Sequence, residues 1–256
     1  MTEPESAFSI AGQGMAVIGS GSGIGRGTAA LLAARGALVA CIDSNESAAE
    51  TAARDIIADG GDAIALRADV RSYDEIDDAF ADLESHAGQV HGVINSAGVT
   101  GPTGRRSHEV ELAEFDATYE INLRGSLIVS QAAVRRMLPH QYGRIVHVAS
   151  IAGKEGNPNM IGYSATKAGI IGMVKAQGKE YATDGITINA VAPAVIGTPW
   201  IKSLSEEVVG YMTDRIPMGR VGSIEEVAQI LAWIVSPECS FTTGFTFDIS
   251  GGRATY

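Results

Sequence analysis

The 256-residue chain predicts an α/β fold, a doubly wound parallel sheet in a single domain. Three observations carry this expectation. Short apolar strand patterns alternate with helical patterns from one end to the other, as βαβ units require. Runs such as Ile145-Val-His-Val are apolar on both sides, which suits strands covered on two faces. The composition, 45% hydrophobic and 19% charged, is that of a packed globule, and this length suffices for one large core.

The elements follow in order. Residues 15–18 read as a strand and 24–35 as a helix; 37–42 as the second strand and 47–58 as its helix. Short strands are expected at 63–66 and 90–94, with a helix over 73–85 between them. One long helical region spans 111–137, and a strand over 144–149 ends at Ser150. A helix over 161–181 precedes a β-branched strand at 186–191. Helices over 205–213 and 224–235 lead to a last strand at 245–248. No long linker, repeat or low-complexity tract interrupts the series. Ligands in such folds lie beyond the carboxyl ends of the strands, so the residues there carry the functional reading.

Bulk charge narrows the partners. A net charge of −11 argues against nucleic acid, whose binding rests on a basic surface, and against anionic membranes. It also repels acidic ligands at long range, so an anionic substrate needs a local cation. Cys41 and Cys239 form no disulfide framework or metal set. The polar start Met-Thr-Glu-Pro-Glu-Ser is unlike a secretory signal, and no apolar run reaches transmembrane length. A cytoplasmic protein is expected. The five histidines are scattered without helical metal spacing, His147 reads as a packed core residue, and no catalytic metal is expected.

Tyr163 and Lys167, spaced i and i+4, share one face of a helix. An ammonium beside a phenol stabilises phenolate and lowers its pKa, so the tyrosine can act as acid or base near neutral pH. Ser150, at the end of a buried strand, can hold a substrate oxygen beside that phenol. Taken alone, Tyr-x-x-x-Lys also fits a solvated helix face.

The first strand runs into Gly19-Ser-Gly-Ser-Gly23-Ile-Gly25 and a helix. Glycines let backbone approach a pyrophosphate, and a helix N-terminus offers free N–H donors with positive potential. The commoner G-x-G-x-x-G fingerprint does not fit, since position 24 is Ile. Asp43 ends the second strand, where a carboxylate accepts both adenosine ribose hydroxyls and repels a 2′-phosphate. No basic residue stands at Ser44, Asn45, Ser20 or Ser22, so the expected cofactor is NAD rather than NADP. A helix N-cap is the alternative role for Asp43, although Ser44 or Asn45 would cap equally well.

With these motifs in hand, the chain resembles the short-chain dehydrogenase/reductase family over nearly its whole length. The glycine pattern, Asp69-Val70, Asn95-Ser-Ala-Gly98, Asn122, Ser150, Tyr163, Lys167 and Pro193-Ala-Val-Ile-Gly-Thr198 all fall in family order. The resemblance implies a Rossmann-like fold and NAD-dependent oxidation of a secondary alcohol. Its catalytic positions would be Asn122, Ser150, Tyr163 and Lys167. Gly19, Ser22, Gly23, Ile24, Gly25, Asp43, Asp69, Val70, Asn95, Ala97, Gly98, Pro193, Ile196 and Thr198 would bind the dinucleotide together with Tyr163 and Lys167. Asn122 would sit at a helix irregularity and hold a water linking Lys167 to solvent; Ile196 and Thr198 would meet the carboxamide. A satisfied core amide at Asn122 and a helix cap at Thr198 are the plain alternatives. Ile18, Ser96, Ala194 and Ser250 depart from the family pattern.

Substrate residues are expected at Ser150, Asn157, Tyr163 and Arg253, with a covering segment at about 198–220 that includes Trp200 and Ile201. The stretch 154–167 and the C-terminal tail resemble sugar-acid members of the family, which oxidise 2-keto-3-deoxy sugar acids such as 2-keto-3-deoxy-L-rhamnonate at C4. The neighbouring reading is a 3-oxoacyl-carrier-protein reductase, and a more distant one a non-catalytic NAD-sensing regulator. The resemblance also implies a homotetramer, built through helix 161–181 and the one before it. In such an assembly the tail would reach a neighbouring subunit and bring Arg253 with it; alternatively Arg253 and Tyr256 merely frame a subunit contact.

Overall fold

The computed structural model describes residues 9–203 and 206–254. Seven strands form one parallel sheet: β1 (Gly14–Ile18), β2 (Leu38–Asp43), β3 (Asp62–Arg67), β4 (Gly92–Asn95), β5 (Gly143–Val148), β6 (Ile186–Pro193) and β7 (Thr246–Ile249). Their order is β3-β2-β1-β4-β5-β6-β7, with every neighbouring pair parallel. The chain winds outward one way from β1 and the other way from β4, so the topological switch lies between those two strands. Their carboxyl ends open a crevice there.

Helices cover both faces. On one side α1 (Gly23–Ala34), α2 (Glu46–Ala58) and α10 (Ile224–Ile234) bury Leu32, Ile56, Val227 and Leu231 against Val17, Val39, Ile94 and Val146 of the sheet. On the other, α3 (Tyr73–Ala87), α5 (Gly125–Met137) and α7 (Ile161–Glu180) set Phe80, Leu83, Val129, Ile170 and Val174 against Ile18, Val93, Ile145 and Ile188. Alternate residues of one strand thus feed two separate cores, the reason these strands read as unbroken apolar runs. Truncating the fully buried Phe80 to Ala would cost about 3–5 kcal/mol.

The helical region expected at 111–137 carries the irregularity expected at Asn122: α4 (Leu112–Tyr119) passes through a π-helical turn, Glu120–Arg124, into α5. Apolar periodicity cannot register that extra residue per turn. A short helix, α6 (Ala152–Glu155), also stands between β5 and α7. A Cβ on Gly153 would fall 2.6 Å from the Lys167 backbone carbon, so α6 rests directly on α7 at Lys167. Helices α8 (Pro199–Lys202) and α9 (Glu206–Thr213) follow β6. The start of the expected 205–213 helix at Ser205, the side chain of Trp200 and all of Tyr256 lie outside the described residues. Among the described residues no helix is long and apolar enough to cross a membrane.

Candidate active site

The crevice at the switch point is a cavity of about 780 Å³. It is floored by the turns after β1, β4, β5 and β6.

The turn after β1 is shaped by close approach. Gly19 has φ +80°, and a Cβ there would lie 2.8 Å from Ala97 N; a Cβ on Gly25 would lie 2.1 Å from Gly19 O. Ser22 caps α1 without any side-chain hydrogen bond to the helix, so the first N–H groups of α1 have no acceptor from their own cap. Free donors, a positive helix end and backbone stripped of side chains fit a dinucleotide pyrophosphate.

Asp43 secures this turn. Its Oδ2 accepts the Gly21 N–H at 2.9 Å and its Oδ1 accepts the Asn45 N–H at 2.9 Å. Asn45, not Asp43, is the cap of α2, its side chain accepting from Ala48 N, which removes the capping alternative. Gly21 was absent from the expected set. A Cβ there would meet Asp43 Oδ2 at 2.8 Å, so a glycine at 21 is what lets the carboxylate reach the turn. Beyond it, Asp69 and Val70 line the cavity. The Asp69 carboxylate is held by Arg71 through Nε and Nη2, the latter at 2.6 Å, and this guanidinium keeps its pKa below the usual carboxylate value. Arg71 also lines the cavity; no motif marked it in the sequence.

Asn95 and Asn122 are both buried. Asn95 Oδ1 accepts the Ala97 N–H at 3.3 Å, and its Nδ2 donates to Ser126 Oγ at 3.1 Å. Asn122 sits in the π turn. Its amide takes the Val99 N–H at 2.8 Å and donates to Val99 O at 2.9 Å and Thr166 Oγ1 at 3.1 Å. Both side chains therefore grip the 95–99 turn.

Ser150, Tyr163 and Lys167 meet in the same cavity. Ser150 Oγ accepts the Ala152 N–H at 3.1 Å, leaving its own proton to donate. Lys167 is buried, its Nζ donating to Val148 O at 2.7 Å and standing 5.6 Å from the Tyr163 ring centroid. Burial brings its pKa down to about 8. The expected depression of the phenol's pKa by the ammonium does not hold for this chain by itself. Burial raises the Tyr163 pKa, and the group drawing it down is the Ser150 hydroxyl. The physical reason is desolvation, which removes water from phenolate and from ammonium alike.

Pro193, Ile196 and Thr198 line the far wall. Ile196 bridges to Gly222 and Thr198 N donates to Ile196 O at 2.6 Å. The divergent Ala194 keeps this loop on the sheet, its N–H bonding Ile249 O at 3.0 Å. Arg253 lines the cavity of its own chain. Its Nη2 reaches Glu155 Oε2 at 2.7 Å and Asn157 Oδ1 at 3.4 Å. The turn is set by Ser250, whose Oγ accepts the Ala254 N–H at 3.0 Å while its carbonyl accepts the Arg253 N–H at 3.2 Å. The serine that departs from the family pattern is thus the residue that folds the tail inward. Lys154, paired with Asp248 at 2.8 Å, ties α6 to β7 beside it.

Comparison with known proteins agrees with this geometry. A family profile described as enoyl-(acyl carrier protein) reductase matches residues 18–254. A 2-dehydro-3-deoxy-L-rhamnonate dehydrogenase (NAD(+)) of Sphingomonas sp. (strain SKA58) is 42% identical over 246 residues, 96% of this chain and 97% of that protein. A 3-oxoacyl-[acyl-carrier-protein] reductase of Synechocystis sp. is 36% identical, covering 94% and 96%. Among solved structures, levodione reductase superposes with a TM-score of 0.91 at 29% identity, covering 96% of this chain and 99% of that one. A putative gluconate dehydrogenase from Agrobacterium tumefaciens gives 0.90 at 27%, covering 96% and 97%. With a glycine-lined crevice at the switch point of a seven-stranded parallel sheet, and serine, tyrosine and lysine gathered in its lining, the chain belongs to the short-chain dehydrogenase/reductase family and is an alcohol dehydrogenase dependent on a nicotinamide cofactor.

Proposed function

We propose that the enzyme uses NAD to oxidise the C4 hydroxyl of a 2-keto-3-deoxy sugar acid of the 2-keto-3-deoxy-L-rhamnonate type, in the cytoplasm and as a homotetramer. The observation that carries the substrate class is Arg253. Its guanidinium, with a side chain only 8% exposed, shares one cavity with Ser150, Asn157 and Tyr163. In a chain of net charge −11, a buried cation beside the reacting groups suits a carboxylate substrate. The 42% identity to a relative named for 2-dehydro-3-deoxy-L-rhamnonate supports the same reading.

The bound dinucleotide supplies a hydride acceptor. Residues of the turn after β1 would hold its pyrophosphate, and Asp43 its adenosine ribose. Asp43 repels a 2′-phosphate, which favours NAD over NADP. Ser150 donates to the substrate oxygen, and Tyr163 takes the carbinol proton. Lys167 has protons left beyond its bond to Val148 O; these would bind the nicotinamide ribose. Asn122 keeps the π turn beside this proton path. Pro199, Ile201 and Met212 of the 198–220 segment line the cavity and would cover the substrate.

A 3-oxoacyl-carrier-protein reductase is the second reading, since relatives of that name reach 36% identity. An acidic carrier would meet a chain of net charge −11. One screen decides: NAD reduction with 2-keto-3-deoxy sugar acids, aldonic acids and simple sugars, against NADPH oxidation with a 3-oxoacyl carrier protein. Turnover confined to the last assay would overturn the proposal.

A further inference from the structure

His147 lies near the carboxyl end of β5, fully buried, and both ring nitrogens are hydrogen-bonded. Its Nδ1 is 3.2 Å from Asn95 Nδ2 and its Nε2 is 2.9 Å from Ser130 Oγ. Ser130 Oγ in turn donates to Gln177 Oε1 at 3.2 Å. On the other side Asn95 Nδ2 donates to Ser126 Oγ, which donates to the Asn122 carbonyl at 2.6 Å.

The direction of this chain is fixed by its ends. Asn95 Oδ1 accepts the Ala97 N–H, so the amide's NH₂ edge faces Ser126 and His147; the flipped amide would set donor against donor. His147 Nδ1 must then be the acceptor, and the single ring proton sits on Nε2, pointing at Ser130. A charged ring would put a second donor against Asn95. Burial with Lys167 nearby keeps the ring neutral, bringing its pKa down to about 3.

The chain ends at the reaction site. Asn95 holds Ala97, and Asn122 holds Val99 by both its N–H and its C=O. Between them a Cβ on Gly98 would stand 3.3 Å from Lys167 Nζ. We infer that His147 is a positioning residue: fixed as the neutral Nε2–H tautomer, it orients the Asn95 amide through Nδ1 and thereby holds the 97–99 wall against Lys167. The inference rests on the proposed roles of Tyr163 and Lys167.

Two conservative variants separate positioning from mere core filling. His147→Asn keeps an acceptor where Nδ1 stands; His147→Gln keeps a donor near Nε2 and loses that acceptor. With NAD and 2-keto-3-deoxy-L-rhamnonate, kcat of H147Q is expected to fall about tenfold, with the KM for NAD within about twofold, while H147N stays within about threefold of the parent. Equal kcat losses in both variants, or an H147Q effect confined to KM or thermal stability, would overturn the inference. Ser126→Ala cuts the same chain further along and covers the case of an unfolded H147Q; its kcat should also fall, and an unchanged kcat overturns the inference. Nitrogen-15 NMR of the parent protein at neutral pH reads the tautomer without any substrate: an exchange-protected Nε2–H is expected, and a proton on Nδ1 refutes the orientation. A parent enzyme inactive on this sugar acid would refute the substrate reading alone. Ethyl acetoacetate with NADH then serves as the probe for the same variants.

Discussion

Arg253 Nη2 lies 2.7 Å from Glu155 Oε2 although 98 residues of chain separate them. The pair joins the C-terminal turn to the short helix that follows Ser150, and it holds a guanidinium beside Asn157 in the cavity. Replacing Arg253 with Met should raise the KM for an acidic substrate about tenfold, the loss of one charge-assisted contact, and leave the KM for NAD unchanged. Steady-state kinetics with both ligands varied checks this. An unchanged KM for the acid would remove Arg253 from substrate binding.

Tyr163→Phe removes one oxygen from a cavity wall and no backbone contact. Turnover should fall by about 10²–10⁴-fold, the range for loss of a positioned proton-transfer group, while NADH still binds. Binding followed by NADH fluorescence, beside single-turnover rates, tests both halves.

Asp43→Ser should raise the KM for NAD and bring NADP into use, since the carboxylate that repels a 2′-phosphate is gone. The change also removes the acceptor for Gly21 N–H and Asn45 N–H. A loss of about 1–3 kcal/mol in stability is therefore expected alongside it. Comparison of kcat/KM for the two dinucleotides in parent and variant is decisive; an unchanged ratio places discrimination elsewhere.

His147 gives the stability a particular pH dependence. Its folded pKa, about 3, lies below the ordinary histidine value of 6.5. Between those values the unfolded chain binds a proton that the folded chain does not, so unfolding free energy increases with pH and is lost as pH falls through about 6.5. Urea midpoints taken from pH 7 to pH 4.5 should decline, and the decline should be shallower by up to one proton in H147N. Identical slopes would show that the ring is not buried neutral.

Much of the site was legible in the sequence because it depends on local order. The glycines after β1, Asp43 at the end of β2, Ser150 after β5 and the Tyr163–Lys167 spacing each follow from a strand end or a helix turn, and all face one cavity. Gly21 and Arg71 escaped notice because their roles are contacts with residues elsewhere: Gly21 is small for the sake of Asp43, and Arg71 pairs with Asp69. The irregularity at Asn122 was signalled by the family resemblance and not by periodicity, since one extra residue in a turn leaves the apolar period of a long helix almost unchanged.

The alternation of strands and helices, the covering of both sheet faces and the side-chain types at the strand ends were determined by the sequence alone, because period, element ends and side-chain type are local quantities. Tertiary structure decided the rest. It placed Arg253 in its own chain's cavity, assigned the pull on the Tyr163 phenol to Ser150 rather than Lys167, and turned a core histidine into one link of a hydrogen-bonded chain. Those outcomes depend on which groups lose water together and which lone pairs meet across the sheet, and distance in space, unlike distance along the chain, is set only when the core closes.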